Sequence, residues 1–140
     1  IKLALSKIIS NEFFLLNGDT FFNIDIKSMS LLKNSKITIA LKKMYNFNRY
    51  GSIEIYKNGI IKKFTKKREM KSGFINAGVS LVKKDIFDDH ELRKNFSFEN
   101  FLEKNYNHLS ISTILFENYF VDIGVPDDYN KFIKDSVKLF

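Results

Sequence analysis

The chain of 140 residues has the length of one domain or of part of one, and with 44% hydrophobic residues it can bury a substantial core. It contains no cysteine, which excludes a disulfide framework and a cysteine-ligated metal site, and no apolar run long enough to span a bilayer. The lack of cysteine fits the reducing cytoplasm, where we expect this protein, although many exported proteins also lack cysteine; no signal peptide is visible in the sequence. Because the chain opens on Ile1 and not on Met, we expect it to be an excerpt of a longer protein.

The first part of the chain is predicted to alternate helices and strands. Residues 1–9 place apolar residues at helical spacing, which predicts the end of an amphipathic helix with Leu3, Leu5, Ile8 and Ile9 on its apolar face. Residues 13–16 form an apolar run typical of a short buried strand, and Asn17-Gly18 after it marks a sharp turn. Residues 24–32 are predicted to be at least partly helical, and the β-branched residues 37–41 predict a second buried strand.

The middle of the chain predicts a β-hairpin that interrupts this alternation. Residues 52–56 alternate polar and apolar side chains, Asn58-Gly59 marks the turn, and residues 60–64 form the return strand. Further strands are predicted at 74–82, 111–116 and 119–124, a short turn or helix at 85–87, and helices that begin at Ser97 and Pro126. We therefore predict an α/β fold with a mixed, mostly parallel sheet and helices on both sides.

Two aspartates follow or end predicted strands beside glycines. Asp19 comes after the first strand, and Asp122 lies in the strand that ends at Gly124. Ligands bind at the carboxyl ends of strands in open α/β sheets, and two carboxylates that converge there can hold one Mg²⁺ together with substrate phosphates. The alternative for Asp19 is a structural role, in which it caps the next segment or closes an Asx-turn.

Three further features allow a binding role and a structural role. In Asn76-Ala77-Gly78, a polar residue and two small ones let a ligand approach the backbone, but the same residues suit a β-bulge or tight packing against a helix. Gly51 after Tyr50 either exposes an amide to a ligand or makes a bend. A basic cluster at Lys62-Lys63 and Lys66-Lys67-Arg68 suits a phosphate and equally a solvated hairpin end.

The total charge and the other reactive side chains add little. The net charge of +7 fits an anionic partner such as nucleic acid, a membrane surface or a phosphorylated small molecule. It also fits a solvated surface, because the lysines are spread along the whole chain. His90 and His108 have no partner at metal-ligand spacing, and no serine stands in a Gly-x-Ser-x-Gly context.

The order of the motifs resembles the sugar-1-phosphate nucleotidyltransferases, and within them the branch that forms GDP-D-glycero-D-manno-heptose. The motifs are Leu16-Asn17-Gly18-Asp19-Thr20, Tyr50-Gly51, the basic cluster, Ile75-Asn76-Ala77-Gly78-Val79, Ser97-Phe98-Glu99 and Phe120-Val121-Asp122-Ile123-Gly124-Val125-Pro126-Asp127-Asp128-Tyr129. The resemblance implies a Rossmann-like, three-layer nucleotidyltransferase domain. It also implies an activity that joins a nucleoside triphosphate, GTP, to a sugar 1-phosphate, heptose 1-phosphate, and releases pyrophosphate. The activated sugar would be used in surface polysaccharide synthesis.

The resemblance also implies roles for individual residues. Asp19 and Asp122 match the aspartates that hold Mg²⁺, and Lys67 matches a lysine that contacts the sugar phosphate, so these three are the expected catalytic residues. The expected substrate-binding residues are Asn17, Gly18, Tyr50, Gly51, Asn76, Ala77, Gly78 and Glu99. No nucleic-acid or membrane partner is implied.

The sequence departs from the family pattern in two places. The Gly-rich signature Gly-Gly-x-Gly-Thr-Arg-Leu, which grips the triphosphate, does not occur in it. We therefore expect residues 1–140 to be the C-terminal portion of a single domain, inactive alone, with an exposed sheet edge that favours a homo-oligomer. Second, Lys66 stands where the family often has a glutamate, which changes the charge beside the sugar site. The alternative functions are an inactive fragment of such an enzyme and a basic nucleic-acid-binding module.

Overall fold

A computed structural model describes residues 1–90 and 95–139 of the chain. Its α-helices are α1 (Lys2–Leu5), α2 (Phe98–Asn105) and α3 (Pro126–Leu139). Its strands are β1 (Glu12–Leu16), β2 (Thr20–Phe22), β3 (Ile37–Phe47), β4 (Ser52–Ile55), β5 (Ile61–Thr65), β6 (Met70–Lys83), β7 (Ile111–Leu115) and β8 (Phe120–Asp122). Single 3₁₀ turns lie at Ile26–Ser28 and Lys84–Phe87.

Six of the strands form the main sheet, in the order β5-β4-β6-β3-β7, and β1 pairs with β6. The long strand β6 is central: β3 lies along one side of it, while β4 and β1 pair with its first and second halves. The remaining strands β2 and β8 form a separate antiparallel ribbon. The ribbon is thus not hydrogen-bonded to the main sheet as a strand, although Phe22 of β2 packs against the cluster on one face of that sheet.

The sheet is mixed, as predicted. Most of its strands run in the same direction, but most of its hydrogen-bonded pairs are antiparallel. Strands β1, β3, β4 and β7 run the same way, whereas β6 runs against its three neighbours. Among the described residues, β3 with β7 is the parallel pair, and the other hydrogen-bonded pairs are antiparallel. The reason is that β6 is inserted between strands that would otherwise be parallel neighbours.

The predicted β4–β5 hairpin is confirmed, and it also reaches across to the far edge of the sheet. Gly59 sits in the turn with φ +78°, a conformation that glycine adopts without strain. Its carbonyl accepts hydrogen bonds from the backbone N–H of Thr113 (2.9 Å) and from the Thr113 hydroxyl (2.7 Å). The tip of the hairpin thus contacts β7, so the two ends of the sheet meet.

The core lies on both faces of the main sheet. On one face, Ile39 and Leu41 of β3 pack with Phe101 and Leu102 of α2 in the larger cluster. On the other, Ala40 packs with Met29, Val79 and Leu81. Neighbouring residues of β3 point to opposite faces, as the period of a strand requires. Both faces being covered makes β3 fully buried over Ile37–Leu41, as its β-branched sequence predicts.

Most predicted elements are present, with shifted ends. Ser97 caps α2 by accepting a hydrogen bond from the Asn100 backbone N–H (3.2 Å), and α3 begins at Pro126 as predicted. The helix predicted for residues 24–32 is reduced to the single turn Ile26–Ser28. Likewise the amphipathic helix of residues 1–9 is wrong in extent: α1 has one turn, and of the predicted apolar face Leu3 and Ile9 are 92% and 98% exposed.

The β2–β8 ribbon carries α3 beside it. Phe21 of β2 and Phe132 of α3 meet with ring centroids 4.8 Å apart, and the Tyr119 hydroxyl donates to Asp135 of α3 (2.8 Å). No described residue of α3 is buried, so this helix is held from one side only. None of the helices in the described part of the chain has the length and apolar character needed to cross a bilayer.

Candidate functional site

The two aspartates singled out in the sequence lie together on the ribbon. Thr20, which follows Asp19, is paired with Asp122 in the β2–β8 register, and the backbone carbonyl of Asp19 accepts from the Ile123 N–H (2.8 Å). A Cβ atom added to Gly124 would lie 3.0 Å from Asp122 Oδ1 and 3.2 Å from Asp19 Oδ2. Both carboxylates therefore border the same small space, which glycine at position 124 leaves open.

Three donors hold the Asp122 carboxylate. Its Oδ2 atom accepts from Arg49 Nη2 (3.1 Å) and from the Tyr50 hydroxyl (3.3 Å), and its Oδ1 atom accepts from the Gly124 backbone N–H (3.0 Å). Arg49 also pairs with Asp128 in the first turn of α3. The Asp122 side chain is therefore fixed in orientation before any ligand binds.

The same contacts change the protonation of Arg49 and Tyr50. The hydrogen bond to Asp128 is the main cause that raises the pKa of the Arg49 guanidinium, which stays charged. Burial, and then the negative charge of Asp122, raise the pKa of the Tyr50 hydroxyl to about 12. Tyr50 is therefore a neutral hydrogen-bond donor to Asp122 at physiological pH.

Asn76-Ala77-Gly78 forms a β-bulge in β6, which was one of the structural roles left open by the sequence. The register with β3 shifts between Ile39, opposite Ser80, and Leu41, opposite Asn76. Gly78 has φ +74°, and its N–H donates to the Asn76 side-chain oxygen (3.0 Å). A Cβ on Gly78 would lie 2.9 Å from Asn17 Nδ2. The bulge thus brings β6 against the turn that carries Asp19.

A cavity of about 560 Å³ opens between these elements. Most of the predicted site residues line it, namely Asn17, Asp19, Tyr50, Gly51, Lys67, Asn76, Glu99 and Asp122. The bulge therefore combines both roles considered for Asn76, which is part of a structural irregularity and also faces the cavity. Gly51 likewise has both roles. It lines the cavity, and a Cβ there would lie 2.8 Å from the Thr65 carbonyl oxygen, so packing also requires glycine.

Three predicted residues do not line this cavity. Ala77 is fully buried. Gly78 borders a smaller neighbouring cavity of about 250 Å³, which shares Asn17, Asn76 and Glu99 with the larger one. Gly18 lines neither cavity, and a Cβ there would have open space around it. Roles for all of these residues in binding stay predictions.

The cavity also contains charged residues that the sequence did not single out. Arg49 was missed, although it directly precedes Tyr50-Gly51. Glu103 was missed as well, and its position four residues after Glu99 on α2 is a signal that could have found it, because such residues share a helix face. Lys66, noted for its departure from the family pattern, lines the cavity beside Lys67.

The Asp19–Asp122 pair fits a hard divalent cation. Mg²⁺ is commonly held in proteins by one or two carboxylates, with water and substrate phosphates completing its octahedron. The space above Gly124, which both carboxylates border, is the feature of this site that suits such an ion. Within residues 1–90 and 95–139, no group of three or more His, Cys, Asp or Glu side chains is placed to hold a metal ion, so other oxygens would have to complete the shell.

Several known proteins are similar to this chain. It matches the nucleotidyl transferase family over residues 1–138. It is 46% identical over 127 residues to a D-glycero-alpha-D-manno-heptose 1-phosphate guanylyltransferase of Campylobacter jejuni, an alignment that covers 91% of this chain and 57% of that protein. An Aneurinibacillus thermoaerophilus protein of the same name is 37% identical over 139 residues, covering 96% of this chain and 60% of its own length.

A solved structure shows the same fold. The crystal structure of HddC from Yersinia pseudotuberculosis has a TM-score of 0.81 and 30% identity, with 96% of this chain and 60% of that chain covered. A second crystal structure is of the same protein complexed with GMP-PN. The chain thus spans about three fifths of the length of these relatives.

These similarities confirm the predicted three-layer nucleotidyltransferase fold and the resemblance to the heptose branch of the family. They do not favour the nucleic-acid-binding alternative. The chain belongs to the nucleotidyl transferase family.

Proposed function

We propose that the protein containing this chain transfers a guanylyl group from GTP to a heptose 1-phosphate and releases pyrophosphate. The observation that carries the proposal is the cavity itself, which has the Asp19–Asp122 pair and Lys67 among its lining residues. Carboxylates for a metal and a cation for phosphate are the groups that phosphoryl transfer needs. The guanine base and the heptose are proposed because the relatives at 46% and 37% identity carry that name.

In the proposed reaction, an oxygen of the sugar phosphate attacks the α-phosphorus of the triphosphate. The bond from that phosphorus to the oxygen bridging the α- and β-phosphates breaks, and pyrophosphate leaves with the electron pair. Asp19 and Asp122 would hold Mg²⁺, and the chemistry that the ion would supply there is neutralisation of charge on the phosphates and their orientation. Lys67 would bind the sugar phosphate as a compact positive charge, and Lys66 beside it would strengthen the attraction.

The sugar itself would contact the polar side of the cavity formed by Asn76 and Glu99. A carboxylate accepts hydrogen bonds from hydroxyls, and an amide both donates and accepts them. Both residues also line the smaller neighbouring cavity, so a ligand on them lies where the two cavities meet. We propose that these two residues orient the sugar so that its phosphate reaches Lys67.

We also propose that the 140-residue stretch does not carry out the reaction alone, and that it forms a portion of one nucleotidyltransferase domain. The sequence printed here contains no Gly-rich triphosphate signature, and it spans about three fifths of its relatives. A cytoplasmic location, where GTP is available, and a role in polysaccharide synthesis belong to the same proposal.

The test is a coupled pyrophosphate-release assay with Mg²⁺, GTP and heptose 1-phosphate. It is run on this chain and on any longer chain that its gene encodes. We expect release only from the longer chain, and loss of it in the Asp19→Ala and Asp122→Ala variants. Asp88→Ala, which removes an exposed carboxylate that does not line the cavity, should keep full activity.

Two results would contradict the proposal. If neither chain releases pyrophosphate with any combination of a nucleoside triphosphate and a sugar phosphate, the alternative hypothesis of an inactive fragment is correct. If activity persists in both aspartate variants, the reaction takes place elsewhere in the protein.

A further inference from the structure

Arg49 connects two acidic side chains that belong to different elements. Its Nη2 atom donates to Asp122 Oδ2 at 3.1 Å, and its Nη1 atom donates to Asp128 Oδ2. Asp122 ends β8, whereas Asp128 lies in the first turn of α3. Arg49 itself lies in the connection between β3 and β4 of the main sheet. One side chain thus joins the main sheet to β8 and to α3, which together with β2 are called the ribbon region below.

The hydrogen bonds of Asp122 define which of its carboxylate oxygens is available to bind a metal ion. A carboxylate has about four lone-pair sites, two on each oxygen. On Asp122, Arg49 and Tyr50 occupy those of Oδ2, and the Gly124 N–H occupies one on Oδ1. The remaining site is on Oδ1, the oxygen that borders the open space shared with Asp19.

The planar fork of arginine suits this double contact. Its two terminal nitrogens can bind two carboxylates at once with a fixed angle between them, which a lysine ammonium does not reproduce. The Arg49 side chain is 41% exposed, so each ion pair alone would be weak in water. Because both contacts act on one rigid group, their main effect is on the direction of the Asp122 carboxylate.

The charges here still favour a dication. Arg49 pairs with Asp122 and with Asp128, and of these two carboxylates only Asp122 lines the cavity. The positive charge of Arg49 is therefore shared with a carboxylate outside the cavity. The carboxylates of Asp19, Asp122 and Asp128 outnumber the one guanidinium, so this group of side chains attracts a divalent cation.

We propose that Arg49 is a positioning residue that turns Asp122 Oδ1 toward Asp19 and so prepares the carboxylate pair for a divalent cation. This inference rests on the metal site of the proposed function. Groups that orient metal-binding side chains typically change metal affinity by about 10- to 100-fold when they are removed. The opposite effect would follow if Arg49 acted as a cation that competes with the metal, because its removal would then tighten binding.

The test uses Mn²⁺ alone, titrated into this chain and followed by the electron paramagnetic resonance signal of the free ion. We expect Arg49→Ala to raise the Kd for Mn²⁺ by about 10- to 100-fold. Arg49→Lys should recover only a small part of the affinity, because it keeps the charge and loses the fork. Lys57→Ala is the control and should leave the Kd unchanged, since Lys57 is an exposed cation in the hairpin turn and does not line the cavity.

Asp128→Asn provides a second variant that leaves both Arg49 and Asp122 in place. It should weaken Mn²⁺ binding in the same direction, since Arg49 loses the partner that fixes its second nitrogen. The urea midpoint of each variant, measured without metal, shows whether the fold is intact. Unchanged or tighter Mn²⁺ binding by Arg49→Ala, or no Mn²⁺ binding by the unsubstituted chain, overturns the inference.

This outcome is separate from that of the proposed function. A chain that binds Mn²⁺ through Arg49-oriented Asp122 but releases no pyrophosphate in its longer form would keep this inference and lose the activity. Pyrophosphate release by the longer chain, together with an Mn²⁺ affinity that Arg49→Ala does not change, would keep the proposed activity and overturn this inference.

Discussion

The main sheet and the β2–β8 ribbon differ in what holds them together. Residues 37–41 of β3 have no exposed surface, and they pack between clusters on both faces of the sheet. In the ribbon region, Val121 is buried, but no described residue of α3 is. The ribbon reaches the core through Phe22 and Val121, whereas α3, which carries Asp128, is held by hydrogen bonds, ion pairs and ring contacts.

This difference indicates that stability and site geometry can be changed separately. Segments with few buried apolar contacts open at lower free energies than the core of the same protein. Ligand sites are often placed on such segments because they must adjust when a ligand binds. In this chain, substitutions in the main sheet should mainly lower the free energy of unfolding, and substitutions in the ribbon region should mainly change metal and ligand affinity.

The largest effect on stability is expected from Leu41→Ala. Leu41 is fully buried in the larger cluster, and removing a buried leucine side chain costs about 2 to 5 kcal/mol of unfolding free energy. Urea denaturation followed by circular dichroism measures the loss. Below the unfolding transition, Mn²⁺ affinity should stay close to that of the unsubstituted chain. A loss of affinity parallel to the loss of stability would break the distinction between the two regions.

Gly78→Ala acts where the two regions meet. Gly78 has φ +74°, which costs a residue with a side chain about 1 to 2 kcal/mol, and a Cβ there would lie 2.9 Å from Asn17 Nδ2 and 3.0 Å from Thr20 Oγ1. We expect a lower urea midpoint together with weaker Mn²⁺ binding, because the turn carrying Asp19 must move.

Gly18→Ala is the matched control for that substitution. It adds the same methyl group to the turn that carries Asp19, next to Asn17, but nothing lies within 4 Å of the new Cβ. Its urea midpoint and Mn²⁺ affinity should stay near those of the unsubstituted chain. Equal losses in the two variants would show that the turn tolerates no side chain at all, and the specific contact at Gly78 would not be the cause.

The sequence allowed Asp19 and Asp122 to be singled out because each stands at the end of an apolar run near a glycine, which is a local signal. That the two side chains meet is not local, because it depends on the antiparallel pairing of β2 with the distant strand β8. The hairpin turn at Gly59 and the Ser97 cap, by contrast, are local. Each depends on residues a few positions apart, so the sequence contains all that is needed.

What could not be predicted depends on contacts between distant residues. Arg49 is 73 residues from Asp122, and nothing near Arg49 in the sequence shows that the two meet. The direction of β6 could not be predicted either, since it follows from which strands it pairs with. The one-turn length of α1 is a further case: apolar residues at helical spacing form a longer helix only if something covers them, and Leu3 is exposed here.

Phe132→Ala tests the packing of α3 against the ribbon. Phe132 is half-buried, and its ring packs 4.8 Å from that of Phe21, so we expect a loss of about 1 to 2 kcal/mol, less than for a fully buried side chain. Mn²⁺ affinity should fall more than this modest loss suggests, because α3 carries Asp128. Val137→Ala on the same helix, where the side chain is 83% exposed, should change neither quantity.

The smallest effect is expected from Tyr50→Phe, which removes one hydrogen bond to Asp122 and keeps the ring packed against Phe120. A hydrogen bond of this kind contributes about 1 kcal/mol to stability. The substitution also has a pH signature. Burial raises the pKa of Tyr50 to about 12, and burial together with the hydrogen bond to Asp135 raises that of Tyr119 to about 12 as well.

The sign of the pH dependence follows from where the protons are lost. Unfolded tyrosines release their protons near pH 10, whereas the folded chain keeps those of Tyr50 and Tyr119 up to about pH 12. Between these values the unfolded state binds fewer protons, so the free energy of unfolding must fall as pH rises. Below pH 10 neither state loses these protons, and their contribution is constant.

Tyr50→Phe should therefore flatten the fall in urea midpoint between pH 10 and 12. Because Asp122 keeps its bonds to Arg49 and Gly124 in the Tyr50 variant, Mn²⁺ affinity at neutral pH should fall less than in Arg49→Ala. A larger loss in the tyrosine variant would mean that the hydroxyl, and not the guanidinium, is what directs the Asp122 carboxylate toward Asp19.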